Sequence, residues 1–213
     1  MNTPALTRPH LTTLWGGGGI LVVSLLSWLA ALNVALPLTT EYFLPFGSRI
    51  PSMVSDTILL GAVAILALGI RGESGIVGRS VVGKIALLVF GLGGWAFQVL
   101  GLLPIGQGQD FVAVGASLTI AITVAVAAAA VVVVRARVLS GFARWALVPV
   151  AVCNAVAAGL SYIPGQDLTY VIYIGGWIRI LLPLSLTVLG FSYLLYGQSA
   201  AIRRRLHVLN QAW

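Results

Sequence analysis

The sequence predicts an all-α integral membrane protein of six transmembrane helices with both termini in the cytoplasm. Three observations carry that expectation. Charged residues make up only 8% of the chain and hydrophobic ones 59%, with a mean hydropathy of +1.04, whereas soluble domains carry about a quarter charged residues. Six apolar segments approach the roughly 20 residues a helix needs to cross a bilayer core of about 30 Å. The lysines and arginines fall on alternate connections, which assigns a side to each.

The six segments are Gly17–Leu36, Ser52–Ile70, Val81–Leu103, Phe111–Val134, Phe142–Leu160 and Leu168–Tyr196. Residues 1–16 form an N-terminal tail, 17–196 the bundle and 197–213 a C-terminal tail. The first segment follows Arg8 and His10, as a signal peptide would, but its apolar core exceeds a typical h-region and no small-x-small cleavage site ends it. It reads as an uncleaved span. Ala125–Val134 in the fourth holds no polar side chain. Its valines suit a strand, but lipid tolerates no open sheet edge, so a helix is expected.

Arg8, Arg71, Arg79, Lys84, Arg135, Arg137, Arg144 and Arg203–Arg205 all fall on one side, and only Arg49 on the other. The positive-inside rule makes the first side cytoplasmic. Trp15, Trp145, Tyr42, Phe43, Tyr162, Tyr170 and Tyr196 lie near segment ends, where amphipathic rings sit at headgroup depth. In the tail, Ile202, Leu206, Leu209 and Trp213 share one helical face beside Arg203–Arg205. That is the pattern of an amphipathic helix lying on the inner leaflet. Alanine-, valine- and arginine-rich usage with a single lysine points to a GC-rich bacterium and hence to its plasma membrane.

Gly101–Asp110 and Gly159–Asp167 align with one gap. This is compatible with three repeated hairpins about an axis along the membrane normal, or with chance among common turn residues. Small residues recur every fourth position in Ala113, Ser117, Ala121, Ala125 and Ala129, in Ala151, Ala155 and Gly159, and in Ser27, Ala31 and Ala35. Gly91, Gly93 and Gly94 interrupt the third segment. Such strips let membrane helices approach closely, within one chain, in a homo-oligomer or against a partner membrane subunit.

The intramembrane polar residues gather toward the outer side: Asn33, Asp56, Gln98 and Asn154 within segments, Asp110 and Asp167 at outer ends. Facing inward, they would line a polar bowl open to the exterior. Arg179 lies 11 positions past Leu168, roughly 16 Å along a helix and so near the bilayer middle. An intramembrane arginine costs at least about 2.5–3.5 kcal/mol and seeks a partner or a cavity. Pro183 denies the Arg179 carbonyl its usual donor, and Gly175 and Gly176 leave space a turn away. Asp56 and Asp167 are candidate counter-ions, a carboxylate-bearing ligand is another partner, and snorkelling or structural pairing with Asp56 is the alternative. Arg179, Asp56, Asp167, Asn154, Gln98 and Asn33 are thus the candidate ligand-binding residues. For Asn33, Gln98 and Asn154 singly, hydrogen bonding between helices is the simpler expectation.

Much chemistry is missing. His10 and His207, the two histidines, lie in the tails, so no haem ligand pair or serine–histidine dyad sits within the membrane. No phosphate-binding loop occurs. Cys153 is the only cysteine and is expected to pack as a small hydrophobe. Glu41, Asp56, Asp110 and Asp167 lack ligand-like spacing, so neither a metal nor a cofactor is expected. The net charge of +7 is dispersed between apolar runs and offers no nucleic-acid face. In size, span number and inner termini the chain resembles, in outline only, the substrate-binding subunits of energy-coupling vitamin transporters and the Insig-type sterol-sensing proteins. No diagnostic motif of either is present. The expectation is a non-enzymatic protein that binds or transports a small or lipid-like ligand, then an accessory subunit of a membrane complex, and last a lipid-modifying enzyme.

Overall fold

The computed structural model describes residues 10–35, 49–102, 109–161 and 168–211, and every regular element among them is helical. These elements are α1 (His10–Ala35), α2 (Arg49–Leu68), α3 (Val81–Leu102), α4 (Gln109–Ala136), α5 (Leu147–Ser161) and α6 (Leu168–Gln211), with a 3-10 turn at Gly141–Arg144 before α5. Among the described residues, five helical stretches are long and apolar enough to cross a membrane: His10–Leu32, Val81–Leu102, Ala113–Ala136, Gly141–Leu160 and Ile180–Ser199. The apolar part of α2, Ser52–Leu68, is shorter.

Large apolar side chains cover the outside. Leu25 and Leu29 of α1, Val81 and Ile85 of α3, Val124 of α4, Val152 of α5 and Leu195 of α6 are all exposed. A soluble protein would expose no such continuous apolar surface; in lipid it carries no penalty. The five spans and this apolar coat make the chain a membrane protein.

Each helix packs on its neighbours in sequence, and α6 returns to pack most extensively on α1, so the six helices close into a ring. Small residues set the spacing. Gly16 and Gly19 of α1 lie against Leu66 and Ala62 of α2, while Gly17 lies against Gly190 and the backbone of Leu194 in α6. On α3, Gly91 meets Leu60 and Val63 of α2, and Gly93 meets Ile122 of α4. Without a hydrophobic force between helices in lipid, such close backbone approach supplies the van der Waals attraction.

The packed core occupies one half of the ring, near the connections that carry Arg71, Arg79, Arg137 and Arg144; we call this the basic end. Fully buried Ile20, Leu66, Leu87, Val126, Val133, Leu147, Leu189 and Tyr193 belong to it. The α2–α3 connection closes that end: Ile76 and Val77 are completely buried, and the Ile76 N–H donates to the Leu66 carbonyl at 2.8 Å. Gly75 permits this, since a Cβ there would stand 2.2 Å from the Ala67 carbonyl oxygen.

The structure departs from the sequence expectation in four places. α1 begins at His10, not Gly17, because Glu73 in the α2–α3 connection caps it. The Leu11 and Thr12 N–H groups donate to the two Glu73 carboxylate oxygens at 3.1 and 2.8 Å, and Thr12 Oγ1 accepts the Ile70 N–H at 3.1 Å. A carboxylate satisfies the orphan donors and complements the helix dipole at an N-terminus. The expected fifth segment is split, with the 3-10 turn preceding α5. The amphipathic helix expected in the tail is the continuation of α6, whose 44 residues run to Gln211; Gly197 lies where α6 crosses the His10 carbonyl oxygen. The fourth departure is Cys153, half-buried rather than buried, with its thiol 3.8 Å from the Leu181 carbonyl oxygen. Most of the aligned turn segments, 103–108 and 162–167, lie outside the described residues.

Candidate functional site in the far half

Away from the basic end, burial falls off along α1, α2 and α4, while Leu100 of α3 and Ala158 of α5 stay buried. On α1 no residue from Leu25 to Leu32 is buried, on α2 none from Ser52 to Gly61, and on α4 none from Ala113 to Val124. The small-residue strip of α4 shows the change directly: Ala129 and Ala125 are buried, whereas Ala121, Ser117 and Ala113 are exposed. A stripe that faces packed neighbours at the basic end thus runs out of partners in the far half.

Two of the candidate residues meet there. Gln98 of α3 donates from Nε2 to Ser52 Oγ of α2 at 2.8 Å and to Asp56 Oδ2 at 3.3 Å. Gln98 therefore bonds between helices, as expected. Gly94 makes the room: a Cβ on it would fall 2.2 Å from Asp56 Oδ1. Ser52 and Gly94 were not evident as site residues in the sequence, although both lie one helical turn from a residue that was. Beside Gln98 lies a cavity of about 80 Å³ lined by Met53, Phe97, Gly101 and Leu102, large enough for water-sized groups. With both amide N–H groups engaged, this cluster presents carboxylate and amide oxygens, which accept hydrogen bonds or hold a cation.

Asn154 does not join it. Its Nδ2 donates to the Val150 carbonyl of its own helix at 2.9 Å. The ring explains the separation: α5 packs on α4 and α6, while α2 packs on α1 and α3. Of Arg179, Asn33 and Asp110 the structure describes the helical backbone only, and Asp167 and Glu41 lie outside the described residues.

The depth of Arg179 follows from helix register. Gly19 against Ala62 brings Asp56 level with about Leu25 of α1, counting at roughly 1.5 Å per residue along antiparallel helices. Gly17 between Gly190 and Leu194 brings Arg179 level with about Ala30, roughly 7 Å further from the basic end. Both helices flank α1, so the backbone position of Arg179 lies across α1 from Asp56 and a little over one helical turn further out. One turn below Arg179, Pro183 interrupts the ladder of α6, and its own carbonyl accepts from Ser24 Oγ at 3.0 Å and Thr187 Oγ1 at 2.8 Å. Trp28 Nε1 donates to Thr187 Oγ1 at 3.2 Å. This polar seam fixes α1 to α6 just below the layer that holds Arg179.

Comparison with protein-family models, with curated proteins and with solved structures returned no match.

Proposed function

We propose that this protein binds, or carries across the membrane, a small or lipid-like ligand held in the far half of the ring. The observation behind the proposal is the loss of packing along the core-facing stripe of α4, where Ala125 and Ala129 are buried but Ser117 and Ala121 are not. Intramembrane polar groups gather in that layer: the Asp56–Gln98–Ser52 cluster on α2 and α3 and the backbone position of Arg179 on α6. Ionisable residues at such depth pair with one another or mark a ligand path. A carboxylate-bearing ligand with a donor group suits this pair of charges, the arginine taking its anion and Asp56 its donor. The positive-inside reading makes the far half the exterior side.

The test is mass spectrometry of an organic extract from the purified full chain. Wild-type protein is expected to carry one species in near-stoichiometric amount beyond bulk lipid, and Arg179→Met and Asp56→Asn to lose it while still folded. Identical extracts from wild type and a folded Arg179→Met would reject the reading.

A second reading, an accessory subunit of a membrane complex, draws on the same exposed face of Ala113, Ser117 and Ala121, which would admit a partner helix. Co-purification of one membrane subunit in equal amount, lost in Ser117→Leu, would favour it over ligand binding.

A further inference from the structure

At the basic end, away from the site above, two clefts meet at the turn between α4 and α5. The first, of about 640 Å³, runs between Ser140–Ala143 and the face of α6 from Thr187 to Ser199. That stretch extends roughly 18 Å along the helix, and Val188, Phe191 and Leu195 make the floor apolar. The second, of about 580 Å³, lies on the other side of the turn and is lined by Arg137, Arg144 and Trp145. Ser140, Gly141 and Phe142 line both. Gly141 forms the saddle, with φ +64° and nothing within 4 Å of where a Cβ would stand.

The charged side is partly preset. Arg144 donates from Nε to the Val134 carbonyl at 2.7 Å, and its guanidinium lies 5.8 Å from the centre of the Trp145 ring. Its outer nitrogens are aimed by that bond rather than free to wander. Arg137 is exposed, with φ +52°, a conformation in which glycine would cost less. Among the described residues, no carboxylate lines either cleft. Phe142 and Trp145 are 67% and 54% exposed, as rings at headgroup depth are.

We propose that these clefts seat one anionic phospholipid of the leaflet at the basic end. Its headgroup phosphate lies against Arg137 and Arg144, and one acyl chain crosses the Gly141 saddle into the groove along α6. The charge pattern commits the occupant: two arginines without a carboxylate favour a headgroup of net negative charge, and the adjoining apolar groove needs a tail that a soluble anion lacks.

The test uses the purified full chain in mixed micelles, with dioleoyl phosphatidylglycerol and dioleoyl phosphatidylcholine as probes and bound lipid counted by native mass spectrometry. Wild type is expected to retain one phosphatidylglycerol in preference to phosphatidylcholine. Arg137→Gln should lower that preference about fivefold, the scale for one basic residue at an anionic surface. Leu195→Trp, which fills the groove, should lower occupancy by both lipids. Arg71→Gln, a like change elsewhere at the same end, should alter neither. Arg137, Leu195 and Arg71 are all exposed, so their variants test binding rather than folding, and melting curves confirm it. Equal retention of the two lipids by wild type would overturn the proposal. So would undiminished phosphatidylglycerol on Leu195→Trp, or a loss on Arg71→Gln matching that on Arg137→Gln.

Discussion

Gly17 and Gly18 are adjacent on α1 and meet opposite surroundings. A Cβ on Gly17 would stand 2.8 Å from the Leu194 backbone nitrogen and 2.9 Å from the Gly190 oxygen, while one on Gly18 would meet nothing within 4 Å. Backbone cannot yield as a flexible side chain can, so Gly17→Ala is expected to cost about 1–3 kcal/mol, the range for overpacking. Gly18→Ala should stabilise by up to about 1 kcal/mol, since alanine loses less entropy in a helix. Unfolding of both variants in detergent by denaturant titration measures the pair, and equal effects would remove the close α1–α6 crossing from the account. Glu73 acts at the same scale. Replacing it by alanine deprives two α1 N–H groups of their acceptor, and a loss of about 1 kcal/mol is expected from the range for lost caps. Glu73→Asp, one methylene shorter, should recover part of it.

The connections act as elements in their own right. The α2–α3 connection turns at Gly69 with φ +84°, seals the core with Ile76 and Val77, and caps α1 with Glu73. Gly69→Ala combines a left-handed backbone with a Cβ 2.0 Å from the Glu73 carbonyl oxygen, so it should cost more than Gly17→Ala and detach the cap as well. Amide hydrogen exchange at Leu11 and Thr12 would then rise together with exchange at Ile76; a rise confined to the turn would separate cap from connection. At the α4 terminus, Arg137→Gly should raise stability by about 0.5–1 kcal/mol by relieving an L-residue in the left-handed region, while removing the headgroup contact proposed for it. Element ends were the least legible part of the sequence. The apolar run of α1 starts at Gly17, but its first turns contain His10, Thr12 and Thr13, polar residues whose helicity depends on acceptors and donors in another segment. The tail helix likewise continues α6, and local amphipathic spacing does not reveal whether the preceding helix stops.

For the whole molecule, the loss of packing along α1, α2 and α4 away from the basic end carries the proposed ligand site, and the positive-inside rule predicts that the basic end is cytoplasmic. With Cys153 replaced by alanine, single cysteines at Ser74 and Ser161 should label oppositely with a membrane-impermeant maleimide on intact cells, Ser161→Cys reacting and Ser74→Cys protected. Labelling of both from one side would overturn the three crossings, α3 to α5, between them.

Hydropathy and the placement of arginines by themselves determined that this chain lives in lipid, that it is helical and where most of its helices lie. These are sums over neighbouring residues, so a linear sequence displays them. Asp56 and Gln98 were legible for a related reason, since a carboxylate or amide in an apolar run costs free energy wherever it packs. Only the tertiary structure decided that α6 closes on α1, that Gln98 joins Asp56 while Asn154 bonds its own helix, and that Glu73 begins α1 from 61 and 62 residues away. Each depends on which helix stands beside which, and in lipid that choice rests on close fit between small residues. Glycine and alanine strips recur on several helices here, so their spacing shows that close packing occurs, and only the ring shows between which faces.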